Sequence, residues 1–427
     1  MYIRKLKQSK FVRSVAVLAT GTGIAQVISI IALPFITRLY HPSDFGIAAL
    51  FLSITSVIGG AAALRYDQAI YLPKDVNVAG RLTMAAISIA LVSSGLLLLF
   101  IITIKITGMQ WAWIKQLGSW IYLLPLSVLF VAFDNIGLVL ATRAKKFIKI
   151  SHASVIQAAF LSGTRIIAGL LNKSVAGLIF SLMIGMFARL MRLWLPLKDS
   201  KIAHAKPANA GNFLKLLYEY RQFPFYAFPT DLLRSINHNL PVFALATLFN
   251  PAVVGLYAVG HRILFMPVQL FTEAVRRTYL QRSVELINDG AGIGIIFIKA
   301  TGGLIISGLL IFMPVLMFGE QLFTIILGTK WSDAGRFAEI LTPFLYFRFI
   351  QGPSGATFIV LSKQHILLKI HALGTLLITG CFVYSLLYAL SAENTLRVYS
   401  VAASFLSIVI ILTAFMLSSR TKKTGLA

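Results

Sequence analysis

Acidic side chains are scarce in this chain, and cysteine is almost absent. Of 427 residues only 14 are Asp or Glu, one is Cys, and 12% carry any charge. A soluble domain carries roughly 25% charged residues, so the shortage excludes an ordinary water-soluble fold. The lone cysteine, Cys381, sits inside an apolar run, which excludes an intramolecular disulfide and suits a small packing residue. There is no P-loop pattern, no HExxH and no nucleophile elbow. GTGIAQ (21–26) begins like a dinucleotide turn but lacks the third glycine and a preceding strand, so it reads as small-residue helix packing. Nothing supports nucleotide hydrolysis or catalysis, and no cofactor or metal is expected.

What is present is apolar sequence: 58% of residues are hydrophobic and the mean hydropathy is +0.83. The net charge of +25 comes from 39 basic residues set against the few acids. Nucleic-acid binders display such charge on a polar fold, and this chain has little polar surface, so no nucleic acid is expected. A polytopic membrane protein accounts for the same charge, because Lys and Arg crowd the cytoplasmic loops.

A helix crossing the hydrocarbon needs about 20 apolar residues. Twelve runs qualify: 11–39, 42–64, 80–104, 117–142, 148–171, 174–196, 223–249, 251–275, 292–318, 335–362, 364–389 and 396–418. The first is too long for a cleavable signal and reads as a retained helix. With the N-terminus inside, 28 basic residues fall in or beside cytoplasmic loops and 7 on the opposite side. That bias predicts cytoplasmic termini. Trp111, Trp113 and Trp120 flank an outward loop and fit an interfacial aromatic belt.

Two short turns repeat. LYHPSDFG (39–46) and LFNPAVVG (248–255) both lie between long apolar runs on the expected outer side, with proline placed to open the following helix. LATRAKKFIKI (140–150) and VLSKQHILLKI (360–370) are matching basic turns on the inner side, and the amphipathic stretch EQLFTIILGTKWSD (320–333) absorbs the change in offset. Equal orientation of the copies predicts a parallel repeat about an axis along the membrane normal. The expected fold is therefore all-α, with twelve transmembrane helices in two six-helix bundles, 1–197 and 223–427, joined by a cytoplasmic linker at 198–222.

LPFITRLYHPSDFG (33–46), followed by LRYDQAIYLP (64–73), resembles the N-terminal region of oligosaccharide flippases of the polysaccharide transporter family. Their superfamily also contains multidrug exporters and the peptidoglycan-precursor flippase. Asp67 stands where the family motif has glutamate. The resemblance implies O-antigen-type lipopolysaccharide biosynthesis in a bacterial inner membrane. Undecaprenyl-pyrophosphate-linked oligosaccharide would move from the cytoplasmic to the periplasmic leaflet. Its implied partners are that lipid-linked substrate, membrane lipids, and a polysaccharide polymerase or other assembly proteins.

Four arginines lie inside spans: Arg165, Arg234, Arg262 and Arg348. Arginine at a helix centre costs about 2.5–3.5 kcal/mol even on the lenient insertion scale, so these four are expected to line a wet interior. Asp231, Arg234 and His238 share one helix face at i, i+3 and i+7, in a segment bracketed by Pro224, Pro229 and Pro241 that predicts a bent seventh helix. His261 and Arg262 point about 100° apart, so only one of them faces the interior. Asp134, Asn135 and Arg165 are the buried polar candidates of the first half. Four arginines against two deep acids, Asp134 and Asp231, leave surplus positive charge suited to a pyrophosphate. Asp231 and His238 are the expected coupling groups: protonating the acid would free Arg234 for substrate. Interhelical ion pairs without contact to substrate account for any single member of the set. Two other functions fit the same architecture: ion-coupled export of small anionic or amphipathic molecules, and a non-transporting scaffold of a polysaccharide assembly complex.

Overall fold

The structure is a computed structural model, and it describes residues 2–108, 111–194 and 210–421. Among them there is no β-strand. Seventeen α-helices follow in order: α1 Tyr2–Leu39, α2 Pro42–Ala61, α3 Tyr66–Ala69, α4 Val76–Thr107, α5 Ala112–Leu117, α6 Leu124–Arg143, α7 Phe147–Leu171, α8 Val175–Trp194, α9 Ala210–Glu219, α10 Phe228–Leu248, α11 Pro251–Pro267, α12 Glu273–Asn288, α13 Gly294–Leu327, α14 Ser332–Ile350, α15 Gly352–Val360, α16 Gln364–Leu387 and α17 Ala392–Arg420. Among the described residues ten segments are long and apolar enough to cross a membrane. α10 and the α14–α15 pair complete the twelve spans. Both fall short on hydropathy because they carry the polar residues at issue, among them Asp231, Arg234, His238 and Arg348.

The chain divides into two compact units, 1–252 and 253–427. α10, the seventh span, therefore packs with the first unit, chiefly on α2. Residues 198–209 of the linker expected at 198–222 lie outside the described residues, and the described remainder contains α9.

Proline fixes the boundaries of the repeated turns. Pro42 and Pro251 are each the first residue of their helix, where no intrahelical N–H bond is lost. In the first turn the His41 amide donates to the Asp44 carboxylate at 3.0 Å, which satisfies one of the free donors at the start of α2. Tyr40 is fully buried, and its hydroxyl donates to the Arg165 carbonyl at 2.8 Å. Its ring fills the place that a Cβ would take at Gly169 of α7 and Gly177 of α8, so both must be glycine for the turn to dock.

The seventh and eighth spans each contain a π-turn, at Phe223–Ala227 and Val268–Thr272. Pro224 lies in the first and Pro267 immediately precedes the second. A missing proline donor is one physical route to such a widened turn. The expected break in the seventh helix is thus a π-turn at its start, and Pro241 lies further on within α10. The eighth span runs on beyond its expected end as the polar helix α12. α13 continues through a kink at Phe318 into the amphipathic stretch that follows.

Each unit has its own apolar core. In the first, Ile70, Leu82, Ile136, Leu140 and Leu216 pack at one end of the bundle. In the second, Tyr279, Phe297, Phe358 and Ile410 do so. Outside these cores large apolar side chains are exposed, for example Leu171, Leu310 and Leu387. A helix with a greasy outer face is what a lipid solvent requires.

Candidate functional site

Among the described residues, three groups of polar side chains bear on the expected site, two in the first unit and one in the second. The first is an ion pair between α6 and α8. Arg189 Nε donates to Asp134 Oδ1 at 2.6 Å, and its Nη1 donates to Ser154 Oγ and Gln157 Oε1, both at 3.2 Å and both on α7. Three helices are thus tied by one guanidinium. Arg189 is one of the 28 basic residues assigned by sequence to the cytoplasmic side, but it lies in α8 and pairs with Asp134. Arg165 is held elsewhere. It is only 8% exposed, and its Nε donates to Ser181 Oγ at 3.1 Å. In this structure it serves α7–α8 packing and does not line an open surface.

The second place is where the α2–α4 connection meets α10. Asp231 Oδ1 accepts from Arg234 Nη2 at 2.5 Å, and Oδ2 lies 2.8 Å from Arg65 Nε and 3.4 Å from Gln68 Nε2. Arg65 reaches this position through an unusual backbone. Leu64 and Arg65 both have left-handed φ, 47° and 63°, which non-glycine residues rarely adopt. The connection is also held from below: Arg143 donates to the carbonyls of Ile70 and Pro73, and Tyr66 Oη donates to the Leu217 carbonyl of α9 at 3.0 Å. Asp67 is buried at 3% exposure, with Arg65 3.7 Å away. Burial pushes its carboxyl pKa up, and the Arg65 charge pulls part of the way back. The α10 face carries the expected Asp231–Arg234 pair, and His238 is exposed two turns on. Sequence reading missed Arg65 and Gln68. The signal available was their place in LRYDQAIYLP, the motif that carried the resemblance.

Further along α10, Asn239 Nδ2 donates to Ser56 Oγ at 3.3 Å. Beyond it, Gln116 of α5 donates to the carbonyls of Ala246 at 2.7 Å and Phe249 at 2.8 Å. The seventh span is therefore fastened to the first unit at both ends and between them.

The third place lies in the second unit. Arg262 of α11 and Arg348 of α14 are both accessible at their surfaces. Arg348 Nη1 donates to Gln351 Oε1 at 3.3 Å and lies near Tyr399 and His371. Among the described residues no carboxylate pairs with either arginine. Every glutamate of this unit is engaged elsewhere: Glu273 with Arg276 and Arg277, Glu285 with Arg282, Glu320 with Arg336, Glu339 with the Glu320 amide, and Glu393 with Arg397. His261 is stacked between Tyr257 and Phe265, with ring centroids 5.5 and 5.2 Å away. Of the His261–Arg262 neighbours, the arginine is the more exposed.

Among the described residues no group of His, Cys, Asp or Glu is arranged to hold a metal ion. The family model described as polysaccharide biosynthesis protein matches residues 35–336. The chain belongs to that family. No curated protein matches it. Among solved structures it is similar to the lipid II flippase MurJ in an inward closed conformation, at 13% identity, covering 94% of this chain and 90% of that one with a TM-score of 0.67. An inward-facing MATE multidrug transporter of the MOP superfamily matches at 17% identity, 95% and 96% coverage and a TM-score of 0.62. A MOP superfamily transporter from Pyrococcus furiosus, described by the reverse polarity of its binding pocket, matches at 14% identity, 97% and 96% coverage and a TM-score of 0.55. These likenesses establish the fold. The resemblance carried by LPFITRLYHPSDFG and LRYDQAIYLP is borne out, as is the all-helical membrane fold class.

Proposed function

We propose that this polysaccharide biosynthesis protein flips an undecaprenyl-pyrophosphate-linked oligosaccharide from the cytoplasmic to the periplasmic leaflet by alternating access. In this reading the protein sits in a bacterial inner membrane with both termini cytoplasmic. One observation carries the proposal: Arg262 and Arg348 stand within spans with exposed side-chain surface, although protein surrounds them closely, and they have no carboxylate partner among the described residues. Intramembrane guanidinium charge without an internal counterion is expensive. It persists where water reaches it and where function requires an anion. A pyrophosphate accepts two parallel N–H bonds from each guanidinium, a geometry that lysine does not reproduce. A transporter of cationic drugs would need the opposite sign, and the Pyrococcus furiosus neighbour is described by a pocket of reversed polarity within the same fold. The sugar and the headgroup travel through the protein while the prenyl chain stays in lipid. Membrane lipids and a polysaccharide polymerase are the expected partners.

Headgroup translocation in proteoliposomes tests the proposal. Wild-type protein should move a prenyl-pyrophosphate-linked sugar across the bilayer, and Arg262→Gln with Arg348→Gln should stop it in protein that inserts normally. Lysine at both positions should retain part of the flux. Full flux in the double glutamine variant would remove the basis of the assignment.

A further inference from the structure

We infer that Arg65, Gln68 and Arg234 form a second phosphate-binding site, at the end of the first unit that carries the α2–α4 connection, and that the Asp231 carboxylate fills this site when substrate is absent. The inference rests on the proposed function for the identity of its ligand, a prenyl pyrophosphate headgroup. The donors come from two parts of the chain and converge on one anion. Arg65 and Gln68 belong to the α2–α4 connection, and Arg234 stands one turn beyond Asp231 on α10.

Three features distinguish this cluster from an ordinary ion pair. Two successive residues, Leu64 and Arg65, hold left-handed backbone that places the Arg65 guanidinium. Strain of that kind persists where the surrounding structure enforces it, and it concentrates at ligand clamps. One donor of the cluster, Arg65 Nε, is buried without a hydrogen bond. Arg65 Nε lies close to Asp231 Oδ2, but the direction of approach does not make a hydrogen bond. Buried polar atoms are normally satisfied, and an exception calls for a ligand, water or ion. Finally, the two arginines differ in freedom: the Arg65 side chain is 15% exposed and that of Arg234 is 76% exposed. A buried guanidinium beside an exposed one suits an incoming phosphate, which displaces a weak exposed pair and then satisfies the donors of the buried one. With Asp67 and Asp231 ionised, the four charges sum to zero. Turning Asp231 away leaves two guanidiniums facing one acid.

Farnesyl pyrophosphate binding to full-length protein in nanodiscs is the test, measured in the Arg262→Gln, Arg348→Gln background so that the second unit contributes nothing. In that background Arg234→Gln and Arg65→Gln should each weaken binding about tenfold, the size of one charge-assisted hydrogen bond. Asp231→Asn should tighten binding by a similar factor, because the competing anion is gone. Arg234 is exposed, so its variant folds whatever happens at Arg65. Unchanged affinity in Arg234→Gln overturns the inference. Equal displacement of farnesyl pyrophosphate by phosphatidylglycerol would also overturn it, since the cluster would then be a general lipid-headgroup contact. Binding that follows this pattern in a protein that flips nothing would leave the site intact and refute the proposed function alone.

Discussion

In the first unit Asp134 faces Arg189 and Asp231 faces Arg65 and Arg234; in the second unit Arg262 and Arg348 face no acid among the described residues. One fold thus handles intramembrane charge in two ways. A buried ion pair adds little net stability, because desolvation offsets attraction, but it is costly to break from one side. Paired charge in the first unit therefore reads as architecture. Arg262 and Arg348 of the second unit have no such pair among the described residues, and the proposed function assigns them to recognition. The cluster around Asp231 stands between the two. It is paired, but one partner is exposed and one of its donors, Arg65 Nε, is unsatisfied.

The largest expected effect comes from giving the second unit what the first already has. His371 lies near Arg348. His371→Asp would supply the missing counterion and repel a phosphate. Transport in proteoliposomes should fall by about a hundredfold, equivalent to about 2.7 kcal/mol of lost anion binding, while melting temperature stays near that of the wild type. Normal transport by the His371→Asp variant would erase the distinction between the units.

Breaking the first unit's pair should act on stability instead. Arg189→Met leaves the partly buried Asp134 without its partner and should cost about 1–3 kcal/mol. Adding Asp134→Leu should recover most of that loss, since two apolar side chains replace a desolvated pair. Thermal unfolding of the two variants reads both numbers. If the double variant is no better than the single one, Asp134 has a role beyond pairing.

The spans are legible in the sequence because hydrocarbon imposes length and composition locally. The turn prolines are legible because their chemistry is local too. The Asp134–Arg189 pair is not, since it joins residues 55 positions apart. Arg189 stands near the end of a span, where loop and interior charges look alike in sequence. Arg65 is hidden for a related reason: two left-handed residues turn its side chain from a connecting segment onto α10. Hydropathy also assigns the seventh span to the second half by its position in the repeat. Its hydrogen bonds to Gln116 and Ser56, together with the Asp231 cluster, are made within the first unit.

Those fastenings differ in strength, and Gln116 offers a smaller test. Its amide satisfies two carbonyls at the end of α10. Gln116→Ala should destabilise the protein by about 1–2 kcal/mol. It should also speed amide hydrogen exchange near residues 245–249 without changing exchange in the second unit. Uniform loosening of both units would mean that α10 is not held as a member of the first.

The smallest expected effect concerns the repeated turns. Position 44 of the first corresponds to position 253 of the second, and the residues differ: Asp44 against Val253. Asp44 lies at the third helical position of α2, where its carboxylate accepts the His41 amide and also meets the positive end of the helix dipole. The second turn has Asn250 before its proline, a residue type that caps helix N-termini with its own side chain. The residue types place the capping group on opposite sides of the proline in the two copies. Asp44→Ala removes the acceptor and should cost about 1 kcal/mol, within the range seen for lost caps. Asp44→Asn keeps an acceptor but loses the charge, so its cost should be only part of that. The corresponding change in the second turn is Asn250→Ala, and it should cost about as much as Asp44→Ala. Thermal melting of the three variants separates the outcomes. If Asp44→Asn is as damaging as Asp44→Ala, charge at the helix start matters more than the hydrogen bond, and the two turns are less equivalent than their shared sequence suggests.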